Sequence, residues 1–170
     1  MSDLAHFDSK GRAQMIDVSG KSPTRRLAVA SGLVRMQAKT LQAILEHRIK
    51  KGDVLSVAQL AGIQGAKATA QLIPLCHPLS LTSIKVHIEP DTALPGVRIQ
   101  ARVEAMDRTG VEMEALTAVS IAALTIYDMC KSIDRSLTLS EIRLEFKTGG
   151  KSGTYQRGSI PSSPQENPSP

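Results

Sequence analysis

Between Arg25 and Met36, in RRLAVASGLVRM, apolar residues roughly alternate with others, which predicts a strand. From Gln37 the period changes. Leu41, Ile44, Leu45 and Ile49 share one helical face, Gly52 closes that helix, and Asp53 can cap a second one over VLSVAQLAGIQGAKATAQLI. Pro74 and Pro78 end the helical pattern. Ile84, Val86 and Ile88 then alternate with Lys85, His87 and Glu89. After the turn PDTALPG, Val97, Ile99, Ala101 and Val103 alternate with Arg98, Gln100, Arg102 and Glu104, completing an antiparallel pair with one apolar face. VEMEALTAVSIAALTIYDMCKSID reads as a long helix, followed by a strand with Ile142, Leu144 and Phe146 inward and Lys147 outward. Ahead of all these, RAQMIDVSGK reads as a short strand and a turn. Helices covering one face of a mostly antiparallel sheet make an α+β domain.

Composition sharpens this picture in three ways. Only Phe7, Tyr127, Phe146 and Tyr155 are aromatic, so the core is built from Leu, Ile, Val and Ala, and packing against further copies of the chain is plausible. The formal charge of +5 favours anionic partners. Cys76 and Cys130 are too few for a disulfide framework, Asp3, His6 and Asp8 stand where a signal core would be apolar, and ALTAVSIAALTIYDM is short for a bilayer span. A cytoplasmic protein with reduced thiols and no membrane contact is expected. Ala58, Ala61, Gly62, Gly65 and Ala66 make the second helix small-sided, as tight packing against a neighbouring helix requires.

Candidate chemistry clusters on the long helix. Glu114, Thr117, Thr125 and Asp128 lie along one stripe, with Ser120 and Lys131 at its edge and Ile121 interrupting it; Val119, Ala122, Ala123, Ile126 and Cys130 lie opposite. Glu114 and Asp128 are separated by about 21 Å of helix and cannot act on one bond from one chain. Either Glu114 serves another part of an elongated ligand, or a neighbouring subunit lends Asp128. Lys131 follows Asp128 by three residues, and in a pocket such a pair can hold a proton donor and acceptor at matched acidity. Lys51, at a helix junction, and Lys67, late in the second helix, are further cations, each by itself an ordinary surface lysine. In LIPLCHPLSL, Pro78 biases His77 towards extended backbone, so that Cys76 and His77 face apart and chelate poorly. Cys76 reads as a core cysteine, His77 as the residue facing a pocket, and no metal is assigned. GGKSG, residues 149–153, could fold over a phosphate, although it is not a Walker A loop.

GIQGAKATAQLIPLCHPLSL and TGVEMEALTAVSIAALTIYDMCKSID, together with MIDVSGK, KKGDV and RLEFKTGGKSG, resemble the molybdenum cofactor biosynthesis protein C family. The resemblance implies a ferredoxin-like α+β fold with residues 1–151 as the catalytic domain, while composition makes 152–170 a disordered Gly/Ser/Pro-rich tail in which the chain departs from the family pattern. It implies a homohexamer, a trimer of dimers with active sites at subunit interfaces. The expected reaction is that of a lyase. A guanosine triphosphate derivative, cyclised and supplied by a radical enzyme, is converted to cyclic pyranopterin monophosphate with release of pyrophosphate. By the resemblance Asp128, Lys131 and Lys51 are catalytic. Leu75, Cys76, His77, Glu112, Met113, Glu114 and Lys147 line the substrate site, and Lys67 is placed on the phosphates. No cofactor is required, Mg²⁺ being allowed as a companion of the triphosphate. An RNA- or nucleotide-binding module is the alternative class, but Lys85, His87, Arg98, Gln100 and Arg102 on the exposed strand positions include no aromatic platform for bases, so no nucleic acid is expected.

Overall fold

A computed structural model of the chain describes residues 10–158. Its strands are β1 (Thr24–Arg35), β2 (Leu81–Asp91), β3 (Gly96–Asp107), β4 (Thr138–Thr148) and β5 (Tyr155–Gln156), joined in an antiparallel sheet of order β2-β3-β1-β4-β5. The helices are α1 (Ala38–Leu45), α2 (Val54–Lys67), α3 (Thr69–Leu72) and α4 (Glu112–Cys130). The alternation in β1 and β3 has the predicted consequence. Ala28, Ala30 and Val34 pair with Val103, Ala101 and Val97, and all six are fully buried. α4 lies over β1, β3 and β4, and α2 packs against α4 and β2. The fold is thus α+β and ferredoxin-like, with both long helices on one face of the sheet. α4 has the length and apolarity of a membrane span, and its fully buried Ala115, Ala118, Val119, Ala122 and Ile126 account for that composition as interior core, with Ala118 and Ala122 against α2.

Several boundaries differ from the sequence expectation. α1 ends at Leu45 because His47 adopts a left-handed conformation (φ 53°), so Ile49 is buried beyond the helix while Leu45 is exposed. Asp53 caps α2 as predicted, accepting from the backbone N–H groups of Leu55 and Ser56, but the helix breaks at Ala68 and resumes as α3. Residues 12–21 hold no strand beyond an isolated bridge at Ala13. Tyr155–Gln156, inside the expected tail, forms β5 against Phe146 and Lys147. The tail beyond residue 158 and Asp3, His6, Phe7 and Asp8 lie outside the described residues.

One irregularity bears directly on function. Ala30 pairs with Leu144 but Val29 pairs with Phe146, leaving Glu145 as the extra residue of a β-bulge. Beyond it the facing of β4 reverses. Phe146 joins Val29 on the open side of the sheet, and Lys147, expected outward, pairs with Ala28 on the helix side.

The α2–α4 contact is close enough to exclude side chains. A methyl at Gly65 would sit 2.8 Å from Ile121 Cγ1 and 2.9 Å from its Cβ; one at Gly62 would lie 3.0 Å from the Ala118 carbonyl oxygen. Gly→Ala within a helix normally gains about 1 kcal/mol of propensity. Here overpacking of about 1–3 kcal/mol opposes that gain. Gly65→Ala is therefore expected to lower the thermal midpoint in a calorimetric scan, whereas an increase would show that the helices have room to separate.

Candidate active site

The N-terminus of α4 opens onto three connected cavities. The largest, about 830 Å³, is lined by Lys21, Arg26, Arg108, Lys147 and Lys151, with Glu112 as its one carboxylate, and by Gly149, Gly150 and Ser152 of the loop after β4. Through Lys21, Thr109, Gly110 and Glu112 it joins a second cavity of about 300 Å³, lined also by Leu75, Cys76, His77, Met113 and Glu114. His77, Leu79 and Glu114 continue into a third of about 140 Å³, whose wall includes Lys67.

Arg26 shows what the first cavity favours. It sits on β1 in phase with the buried positions Ala28 and Ala30 and is itself buried. Its Nε donates to the Asp107 carbonyl (3.1 Å) and its Nη2 to the Arg108 carbonyl (3.0 Å), and among the described residues no carboxylate is ion-paired to it. A Cβ at Gly150 would collide with Arg26 Nη1, so the glycine is what lets the 149–153 loop close over the guanidinium. A buried cation held only by carbonyls, among four further cations, is a strong attractor for a multiply charged anion. Lys147 reaches this wall because of the Glu145 bulge, pairing with Glu112 at 3.5 Å and donating to Ser152 Oγ. The α4 N-terminus, without a side-chain cap, adds its positive end to the same place.

The second cavity is less polar. His77 Nε2 donates to the Ile16 carbonyl at 2.8 Å, pinning residues 16–18 over the wall. Cys76, read above as core, is instead half-buried on the cavity wall beside His77; burial, and then the charge of Glu114, pushes its thiol up and keeps it un-ionised. The buried cysteine is Cys130, raised by burial to about 11. Glu114 is 4% exposed, and burial, reinforced by the charges of Glu112 and Asp107, pushes its carboxyl up to about 7. Its stripe neighbour Thr117 is also buried, so the first half of the stripe lies against the packed interior and only its second half reaches solvent.

Lys51, Asp128 and Lys131 meet at the opposite end of α4. Asp128 Oδ1 accepts from Lys131 Nζ and Oδ2 from Lys51 Nζ, both at 2.7 Å, and Lys51 Nζ also donates to the Asp128 carbonyl at 2.9 Å. All three are about half exposed and line none of the three cavities. The hydrogen bonds from Lys131, then Lys51, hold the Asp128 carboxyl at about 2, while Asp128 raises Lys131. The matched acidity expected of the Asp128–Lys131 pair is therefore absent in the single chain, where both groups are held as ions.

The sequence-predicted residues thus fall into two groups, cavity wall and exposed trio, at the two ends of one helix. Lys67, expected on the phosphates, lines the small cavity beside Glu114 and His77, apart from the basic one. Arg26, Lys21 and Arg108 were not singled out in the sequence, whereas Lys151 lies in GGKSG, the stretch read as able to fold over a phosphate. A charged residue in phase with the core positions of β1 was the available signal for Arg26.

Glu114 yields a stability prediction. Its folded pKa, about 7, is raised above the ordinary 4.5, so the stability it contributes is full below 4.5 and is lost as pH rises through 7. Glu114→Gln should therefore leave stability near wild type at pH 4.5 and exceed it above pH 7, by on the order of 2 kcal/mol after allowance for water in the cavity. Parallel urea-unfolding curves for the two proteins would show Glu114 to be solvated.

Known proteins share this sequence over nearly its whole length. The MoaC family profile matches residues 15–150. A cyclic pyranopterin monophosphate synthase of Dinoroseobacter shibae is 60% identical over 156 residues, covering 92% of this chain and 99% of that protein. Synthases of the same name from Rhodospirillum rubrum (60% over 152 residues, 89% and 92% covered) and Cereibacter sphaeroides (57% over 156 residues, 92% and 98% covered) are similarly close. On this evidence, the chain belongs to the MoaC family.

Proposed function

We propose that the chain is a lyase of molybdenum cofactor biosynthesis, converting 3′,8-cyclo-7,8-dihydro-GTP to cyclic pyranopterin monophosphate and pyrophosphate. The carrying observation, beside family membership, is the juxtaposition of a five-cation cavity with a smaller cavity holding Glu114 and His77. The triphosphate is assigned to Lys21, Arg26, Arg108, Lys147 and Lys151, the purine-derived rings to Leu75–His77, Met113 and Glu114. As the cyclic phosphate forms, a substrate hydroxyl attacks the α-phosphorus and the α–β bridging P–O bond breaks. Pyrophosphate carries the released electron pair into the basic cavity, where fixed cations meet the developing charge. Ring opening and reclosure are proton transfers. Glu114, titrating near neutrality, is suited to hold or release a proton there.

The same reading places the working site between two copies of the chain. Asp128, Lys131 and Lys51 lie too far along α4 to reach a ligand bound at its N-terminus, so a second copy supplies them. Leu124, one turn before Asp128, and Leu60 on α2 are 54% and 67% exposed, apolar surface that a second copy would cover. Burial under substrate would also remove the solvation that keeps Asp128 and Lys131 fully ionised, bringing their acidities together. A homohexamer built as a trimer of dimers fits this arrangement. Mg²⁺ enters this scheme as a companion of the triphosphate, not as a resident ion. The setting is cytoplasmic, with Cys76 and Cys130 as free thiols and a radical enzyme upstream as supplier.

Incubation with the cyclised triphosphate should release pyrophosphate and give an oxidisable pterin. Asp128→Asn and Lys131→Ala should each lower kcat by about 100-fold or more with assembly intact, while Arg26→Ala should act chiefly by raising KM, about tenfold. Near-normal rates in both α4 variants would remove their assigned roles, and no pterin from assembled protein would overturn the function.

A further inference from the structure

Asp134 stands out as a buried charge that the functional reading does not use. It lies three residues after Lys131, in the turn that leaves α4, and only 2% of it is exposed. Its backbone N–H donates to the Cys130 carbonyl at 3.0 Å, tying it to the last turn of α4. Its carboxylate accepts from Gln37 N (2.9 Å), Gln37 Nε2 (3.1 Å), Thr40 Oγ1 (3.0 Å), Ser136 N (2.9 Å) and Ser136 Oγ (2.6 Å). The two backbone N–H groups and the Gln37 amide N–H can only donate and the two hydroxyls donate as well, so an ionised carboxylate satisfies the whole set. Burial alone would raise its pKa, yet these bonds hold it at about 2.

Gln37 is the N-cap residue of α1 and makes no side-chain cap of its own. Asp134 supplies that cap from across the fold, which fixes the start of α1 to the end of α4. The far end of α1 leads through His47 and the buried Ile49 to Lys51, which returns to the last turn of α4 at Asp128. The segment from Gln37 to Lys51 is therefore clipped to α4 twice, once by a buried carboxylate with five donors and once by an exposed ion pair. Exposed pairs hold geometry weakly. The buried clip sets where Lys51 arrives.

We propose that Asp134 is a positioning residue for the Lys51–Asp128–Lys131 trio, acting through the cap on α1 to hold Lys51 against Asp128. This rests on the reading of that trio as the proton-transfer end of the site, and Asp128→Asn assayed in parallel tests that reading separately.

Three variants test the inference. Asp134→Asn places an amide donor against donors. Thr40→Val keeps the shape of a fully buried residue and removes its bond to Asp134, whereas Thr40→Ser keeps the bond and loses a methyl. Steady-state kinetics at fixed assembly state, checked by circular dichroism and size exclusion, should show kcat reduced on the order of tenfold in Asp134→Asn and about threefold in Thr40→Val. KM should stay within about twofold, and Thr40→Ser should match wild type within about twofold. Packing at Thr40 alone, apart from its bond to Asp134, predicts the reverse order for the two variants, because valine preserves packing and serine does not. Thr40→Val at wild-type kcat, or Thr40→Ser losing as much as Thr40→Val, overturns the proposal even if Asp134→Asn fails to fold. So does a folded Asp134→Asn with unchanged kcat. Wild-type activity in Asp128→Asn would instead overturn the assignment of the trio, and the proposal with it.

Discussion

The backbone-to-backbone approach of α2 and α4 is the constraint on which the remaining structure depends. Gly62 and Gly65 let α2 settle against Ala118 and Ile121, so that α4 is held between a second helix and the sheet along most of its length. Held in this way it acts as a rigid strut of 19 residues. Whatever chemistry stands at its two ends is kept apart by its length, about 1.5 Å for each residue. The packing that stabilises the domain is therefore also what divides its functional groups.

The two ends differ in physical character as well as position. At the N-terminal end, Glu114 is buried and titrates near neutrality, next to a cavity whose cations far outnumber its carboxylates. At the other end, Asp128 and its two lysines are open to water, and the Asp128 carboxyl is held at about 2. A basic cavity suits a polyanion awaiting cleavage. A solvated ion trio is a poor proton relay until something covers it. Covering it is the role of the proposed second copy.

Much of the fold was legible in the sequence. Period-two alternation located β1, β2 and β3, and Asp53 announced α2. What the pattern missed were local departures from ideal periods: the left-handed His47 that stops α1 early, the break at Ala68, and the Glu145 bulge. The bulge mattered most, because strict alternation points Lys147 away from the cavity it lines. Two-residue β5 was invisible in a Gly/Ser/Pro-rich stretch, since it is defined by its pairing with β4 and not by its own composition. The site residues came through the family resemblance. Geometry then separated them into two groups, and it added Arg26 and Arg108, which meet Lys151 of the GGKSG loop because the ends of β1, β3 and β4 converge. Asp134 shows the same limit, because nothing in the sequence indicates that it binds the N-cap residue of a helix, 97 residues earlier.

Mixing two defective chains tests the shared site most directly. Arg26→Ala removes a cavity cation and Asp128→Asn an end-of-helix carboxylate, each disabling a different half. If two copies complete each site, co-assembled mixtures contain sites built from the two intact halves. Random pairing then predicts about a quarter of wild-type kcat/KM, against about a tenth for Arg26→Ala alone and about a hundredth for Asp128→Asn alone. Mixed assemblies no more active than the sum of the separate variants would contradict the shared site and require Asp128 to act within its own chain.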